Sequence, residues 1–228
     1  MDKKRIFTAD ELAELGKSPS TRAIEMAQSG DPQLAVAAVK MMETMFTAIH
    51  DMYGDWVASL LSYIYRKEGV EAAEEAMTPL VRAYMDPSLE NYDKLSYRDK
   101  VVNGIQGLAF AHNATVIAEE DDEKVTYHME FCKAGQRQVA NGLYDGDCAQ
   151  CSRVESCSCT WSIGNFPIYC IHAPIQDKIS IDKIGHPNSV YSPCKDMGRE
   201  ACRVSIYKDP KDIPEEAYTR IGYTKPEM

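Results

Sequence analysis

Residues 115–132 read TVIAEEDDEKVTYHMEFC, and this stretch decides the fold class. Apolar and polar residues alternate over residues 115–118 and again over residues 124–132, which is typical of half-buried β-strands. The acidic run between them predicts a turn. Residues 201–207 repeat the alternation and predict a further strand.

Residues 1–112 contain no cysteine and follow a helical pattern instead. The predicted helices cover residues 10–15, 19–28, 31–67, 70–84 and 96–111, with a break at Asp86-Pro87-Ser88. For the long helix, Asp31 can act as the N-cap, Pro32 suits the first turn and Gly69 ends it. Helices followed by strands predict an α+β fold, with a helical region (1–112) packed on a C-terminal antiparallel sheet in a cysteine-rich region (113–228).

Two features of the long helix suggest either packing or function. Its apolar positions recur every three or four residues, and four methionines lie on it: Met41, Met42, Met45 and Met52. We interpret them as adaptable side chains in a buried helix face rather than as soft metal ligands. His50 and Asp51 either line a pocket or lie on the helix surface, and the sequence leaves both open.

Composition narrows the class of protein. The chain is 44% hydrophobic and 26% charged, as in ordinary globular proteins, and its formal net charge is −10. This charge repels phosphate backbones, so no nucleic-acid partner is expected. With no apolar signal-like start and no apolar run long enough to span a bilayer, we expect a cytoplasmic protein without a membrane partner. Its eight cysteines should then be reduced, which favours metal binding or a reactive thiol over disulfides.

Four of the cysteines lie within twelve residues, as Cys148-x2-Cys151-x5-Cys157-x-Cys159. The Cys-x2-Cys spacing lets both sulfurs face one metal and is common in zinc and iron–sulfur sites. The Cys-x-Cys spacing is less usual for a shared metal. Metal ligation and unligated or redox-paired thiols therefore both stay open for this loop.

A second group consists of Cys170, Cys194 and Cys202. Gly198 stands midway between the last two, in the pattern Cys-x3-Gly-x3-Cys, and allows the chain to reverse so that both sulfurs approach one point. We predict that the three thiols converge and bind metal.

The tail that holds this triad resembles the 4-vinyl reductase domain, over roughly residues 125–208. The resemblance is carried by the stretches 166–170 (FPIYC) and 192–207 (SPCKDMGREACRVSIY). Relatives of that domain include the sensor domains of phenol-responsive regulators and the L-2-amino-thiazoline-4-carboxylic acid hydrolases. The resemblance implies a 4-vinyl reductase-like α+β fold and a zinc ion held by the three cysteines and a glutamate three residues before the middle one.

Tyr191 occupies that glutamate position. We therefore expect His172 or a cysteine of the 148–159 loop to supply the fourth ligand. The resemblance also implies a ligand pocket lined by a histidine and a tryptophan, for which His128 and Trp161 are the candidates.

Cys132 is a candidate for covalent chemistry, since it stands beside Lys133, which could lower the pKa of the thiol. A plain buried cysteine is the alternative, and His128 could likewise be an ordinary sheet residue. If the protein hydrolyses its substrate, a metal-bound water or the Cys132 thiolate would attack, and His128 or His172 would transfer protons.

Three functions follow from these patterns. The first is an enzyme that hydrolyses a carbon–nitrogen bond in a small cyclic or aromatic molecule, which a long helix ending in Arg66-Lys-Glu-Gly69 favours by resemblance to the hydrolases. The second is a ligand-binding sensor module, although the sequence shows no helix-turn-helix or ATPase signature through which ligand binding could be passed on as a signal. The third is a zinc or iron–sulfur accessory protein. A small-molecule ligand and a second copy of the chain are the expected partners.

Overall fold

The computed structural model describes residues 9–146 and 149–227. The helices are α1 (Ala9–Leu15), α2 (Pro19–Gln28), α3 (Pro32–Glu68), α4 (Val70–Leu89), α5 (Tyr97–His112), α6 (Gly135–Ala140), α7 (His172–Ile184) and α8 (Glu216–Thr219). The strands are β1 (Val116–Glu120), β2 (Lys124–Met129), β3 (Arg153–Val154), β4 (Phe166–Pro167), β5 (Val190–Ser192) and β6 (Arg203–Tyr207). Among the helices described, none is both long and apolar enough to cross a membrane.

The first compact unit ends at His50, and its described part contains α1, α2 and the first half of α3. The predicted helix over residues 19–28 is confirmed, since α2 has these bounds. It begins there because the Ser18 hydroxyl accepts a hydrogen bond from the backbone N–H of Thr21 at 3.1 Å, while Pro19 suits the first turn.

The predicted burial of the methionine face of α3 is wrong. In the first unit, Ala38 is buried and Met42 is 40% exposed; further along the helix, Ala58 is buried and Met52 is 55% exposed. Small side chains thus lie inward, where they permit close packing, whereas Met42 and Met52 stay exposed and Met41 and Met45 are half-buried. Self-association, which would cover such a face, stays a prediction.

Residues 51–228 form the second compact unit, and its largest core is built around α4 and α7. The sequence did not predict α7. Its side chains Ile175 and Ile179 are almost fully buried in the same core as Met77 and Val81 of α4. A buried helix with apolar residues on several faces has no clear period, which explains the omission.

The predicted break at Asp86-Pro87-Ser88 is also wrong, because α4 continues to Leu89. Met85 and Leu89 are buried on either side of the proline, and their burial stabilises the last turn. Lys183 of α7 donates a hydrogen bond to the Asp86 carbonyl oxygen at 2.7 Å, which satisfies an acceptor near the proline. Tertiary contacts here outweigh the local preference of proline.

The main sheet has four strands in the order β1-β2-β6-β5, all antiparallel. The predicted hairpin is confirmed: β1 and β2 pair in the register Val116 with Met129. One face of the sheet, including Val125 and Ile206, packs against Val101 and Ile105 of α5. Together with the helices before residue 113, this sheet confirms the α+β class. The predicted division at residues 112 and 113 stays a prediction, since helices α6, α7 and α8 also follow it.

Two glycines on α5 give a matched test of this packing. A Cβ at Gly104 would lie 2.6 Å from the Tyr127 hydroxyl oxygen and 2.9 Å from Ile206 Cδ1, whereas a Cβ at Gly107 would have open space. Tyr127 and Ile206 are both buried and cannot move away easily, so Gly104→Ala should lower the free energy of unfolding by about 2 kcal/mol. Gly107→Ala should raise it by about 0.5–1 kcal/mol through helix propensity. Urea denaturation followed by circular dichroism measures both, and equal effects would contradict the close approach.

Candidate metal centre

The strand order places the chain positions of three cysteines at one edge of the main sheet. Cys132 follows the end of β2, Cys194 follows the end of β5, and Cys202 directly precedes β6. Since β6 lies between β2 and β5 and is antiparallel to both, these three chain positions fall at the same edge. Cys170 reaches the group from the 3-10 helix Ile168–Ile171, just before α7. All four cysteines are free and half-buried.

The closest pair is Cys194 and Cys202, whose sulfurs lie 3.9 Å apart. The hydrogen bond between the two thiols lowers the pKa of Cys202 to about 7, although burial opposes the shift. The backbone N–H groups of Cys194 and Cys202 add to this effect. The same thiol hydrogen bond, together with burial, raises the pKa of Cys194. The pair therefore loses its first proton near neutral pH and retains the second to higher pH.

Cys132 and Cys170 lie within electrostatic range of this pair. Burial raises the pKa of both thiols, and the Cys202 thiolate raises each of them further. Backbone N–H groups of residues 134–136 point at the Cys132 sulfur and oppose the rise. Removing a proton from one thiol thus makes it harder to remove one from the next, which a divalent cation would relieve.

Gly135 makes room for the fourth sulfur. A Cβ at this position would overlap the sulfur of Cys170. The segment from Cys132 to Gly135 therefore carries one sulfur itself and, at Gly135, leaves space for the sulfur of Cys170.

The four thiols form a soft donor set that suits zinc by its chemistry. In a tetrahedral zinc site, Zn–S bonds of about 2.3 Å place the sulfurs about 3.8 Å apart. The 3.9 Å between Cys194 and Cys202 matches one edge of such a site. Within residues 9–146 and 149–227, however, no three His, Cys, Asp or Glu side chains are arranged so that they could hold an ion. Completing a four-sulfur site would require Cys132 and Cys170 to come closer to this pair.

The cysteines of the 148–159 loop lie in different places. Cys148 is outside the described residues. Cys151 is buried beside Ser62 of α3, and burial raises the pKa of its thiol. Cys157 and Cys159 contact each other, and burial followed by the hydrogen bond to Cys157 raises the pKa of Cys159.

The two histidines differ in their surroundings. His172 begins α7, and its Nδ1 donates to the Tyr169 carbonyl oxygen at 2.8 Å. Burial lowers the pKa of His172, so the ring is neutral at neutral pH. His128 lies on β2 opposite Ile117, with its side chain on the sheet face that points away from Tyr127.

Trp161 belongs to a buried polar network that the sequence did not reveal. Its indole N–H donates to Asp177 Oδ2 at 2.7 Å, and Arg220 Nη2 lies 3.5 Å from the same oxygen. Tyr191, which occupies the glutamate position of the resemblance, stacks on Trp161 at 5.4 Å between ring centroids. Burial raises the pKa of Asp177 to about 7. Asp177 stands in a helix without a periodic pattern, so no sequence signal marked it.

No family model matches this chain, and neither does any curated protein or solved structure. The resemblance of the tail therefore depends on its own residues. Sequence reasoning treated Cys132 as a nucleophile and did not connect it with the triad. The signal that could have done so is the Cys-x2-Gly spacing, which places amide N–H groups around a sulfur.

Proposed function

We propose that the protein binds one zinc ion through Cys132, Cys170, Cys194 and Cys202, within a 4-vinyl reductase-like fold. The observation that carries the proposal is the separation of 3.9 Å between the Cys194 and Cys202 sulfurs, at the sheet edge where Cys132 follows the end of β2. Zinc supplies a positive charge that keeps all four sulfurs deprotonated.

One ion fits this pair better than a four-iron cluster does. In such a cluster each cysteine binds a different iron, so the cysteine sulfurs lie farther apart than on a single ion. Cys132 takes the place of the glutamate ligand implied by the resemblance, because Tyr191 stacks on Trp161 instead. A cytoplasmic location would keep the thiols reduced and available.

Four thiolates leave no position for water, which is the arrangement of structural zinc. We therefore infer a zinc-stabilised module that binds a small molecule, as sensor modules do. Hydrolysis of a carbon–nitrogen bond in a small ring is the second candidate. Burial keeps the Cys132 thiol protonated, and a zinc site without Cys132 would keep the open position that catalytic zinc uses.

Metal analysis tests the proposal. Protein purified anaerobically from zinc-supplemented cells should contain close to one zinc per chain. Cys202→Ser and Cys132→Ser should each lose most of it. Cys159→Ser is the matched control, since this cysteine is buried beside Cys157 and away from the sheet edge, and it should keep the metal.

The alternative outcomes are distinct. Zinc retained in Cys132→Ser but lost in Cys202→Ser would favour the three-thiolate site and hydrolysis. Brown protein that contains labile sulfide would indicate an iron–sulfur cluster instead of zinc. Metal-free protein with a Cys194–Cys202 disulfide after mild oxidation would reject metal binding and favour a redox dithiol.

A further inference from the structure

A cleft of about 150 Å³ lies between the start of α5 and the end of β6, within residues 51–228. The side chains that matter for its chemistry are Tyr92, Tyr97, Lys100, His186, Tyr207 and Lys208. The cysteines of the proposed zinc site do not line it. A ligand in this cleft would therefore bind apart from the metal.

The side chains that line the cleft include basic ones, although one of these, Lys208, is paired with Glu120. Lys100, His186 and Lys208 are among its lining residues, and none of those residues is acidic. The chain as a whole has 35 acidic residues against 25 lysines and arginines. With Lys208 paired to Glu120, Lys100 is the basic side chain of the lining that can attract a small anion.

Lys100 is the cation best placed to bind one. Its Nζ lies over the ring of Tyr92, 4.4 Å from the centroid, and it forms no ion pair with a described carboxylate. Lys208 differs, because it bonds Glu120 Oε1 at 2.8 Å and the Asp121 carbonyl oxygen at 2.8 Å. The ammonium of Lys100 is therefore the one available for a charge-assisted hydrogen bond.

The tyrosines form a rigid apolar wall. The Tyr92 hydroxyl donates to the Asn188 carbonyl oxygen at 2.8 Å, and the Tyr97 hydroxyl donates to the Ile206 carbonyl oxygen at 3.0 Å. With both hydroxyls held by backbone, the rings are fixed before a ligand arrives. Burial raises the pKa of Tyr92, so its phenol stays neutral and does not repel an anion.

We infer that this cleft binds a small aromatic carboxylate, with its ring against Tyr92 and Tyr97 and its carboxylate at the Lys100 ammonium. The volume supports a single ring, because an apolar protein cavity of about 150 Å³ is known to hold benzene. Fixed tyrosine rings reduce the entropy lost on binding.

Benzoate is the probe for this inference, and its binding is followed by amide chemical-shift changes in the protein as purified. We expect a Kd on the order of 1 mM. The largest shifts should fall near residues 92–100 and 206–208. Benzamide, which has the same ring without the charge, and inorganic phosphate, which has charge without a ring, should each bind about tenfold more weakly.

Lys100→Gln should weaken benzoate binding about tenfold, while Lys67→Gln, at an exposed lysine of α3, should leave it unchanged. Absence of benzoate binding, shifts that map elsewhere, or equal binding of benzamide would overturn the inference. Equal binding of phosphate would reduce the cleft to a plain anion site and also overturn it. If Lys100→Gln does not fold, the comparison of benzoate with benzamide on the unaltered chain still tests whether the carboxylate contributes to binding.

Discussion

Replacing Asp55 with alanine is expected to lower the free energy of unfolding by about 3 kcal/mol, because it removes two charge-assisted hydrogen bonds from the buried Arg137 guanidinium and leaves Asp51 as its carboxylate partner. Arg137 Nη2 lies 2.5 Å from Asp55 Oδ1, and only 11% of the arginine side chain is exposed. Asp55 Oδ1 also accepts a hydrogen bond from Gln138 Nε2 at 3.2 Å. Removing this carboxylate takes an acceptor from both buried side chains, while Asp51 Oδ1, 3.1 Å from Arg137 Nε, remains as the second carboxylate at the guanidinium.

An exposed ion pair supplies the control. Arg203 Nη1 lies 3.1 Å from Glu119 Oε1, with both side chains more than half exposed. Glu119→Ala should therefore change the free energy of unfolding by no more than about 0.5 kcal/mol. Asp55→Asn, which keeps an acceptor but loses the charge, should fall between the two. Chemical denaturation of the three variants measures this order, and an Asp55→Ala effect as small as that of Glu119→Ala would contradict it.

The Asp55 network also positions the candidate metal centre. Arg137 Nε donates to the Lys133 carbonyl oxygen at 2.9 Å, and the backbone N–H of Arg137 donates to the Cys132 carbonyl oxygen at 3.1 Å. These bonds hold the turn that carries Cys132 and Gly135. A loosened turn would make the proposed zinc site lose its fourth thiolate first.

Much of the secondary structure could be predicted because its patterns are local. The bounds of α2 follow from Ser18 and Pro19, and the β1–β2 hairpin follows from an alternation broken by an acidic turn. Strands β3 and β4 are two residues long, too short for any period to appear. The face that α3 buries was also missed, because apolar spacing says nothing about which neighbours are available.

The candidate site shows the same division. The approach of Cys194 to Cys202 is a local matter, since Gly198 lies midway and the Asp196 carboxylate accepts a hydrogen bond from its N–H at 3.1 Å. The position of Cys132 near this pair depends instead on the pairing of β2 with β6. These two strands are more than seventy residues apart in the sequence. Strand order is a property of the whole fold, so the sequence does not connect Cys132 with the other three cysteines and suggests only a separate role in covalent chemistry.

The second large effect is expected at Asp177, a carboxyl that is 1% exposed. Burial raises its pKa from 3.8 in the unfolded chain to about 7, despite Arg220 and the hydrogen bond from Trp161. Between these two values the folded state holds a proton that the unfolded state releases. The free energy of unfolding should therefore fall as pH rises from about 4 to 7 and then level off.

Asp177→Asn removes this titration while keeping an oxygen for the Trp161 N–H. Between pH 5 and pH 8 the unaltered chain should lose roughly 3 kcal/mol more unfolding free energy than the variant does. His172 has a pKa lowered by burial, so its contribution is lost as pH falls, and comparing two proteins that both contain it cancels this opposite effect. Asp182→Asn, at an exposed position of α7, is the matched control and should keep the decline. Urea denaturation at the two pH values measures the difference, and equal declines in Asp177→Asn and the unaltered chain would mean that Asp177 is ionised in the fold.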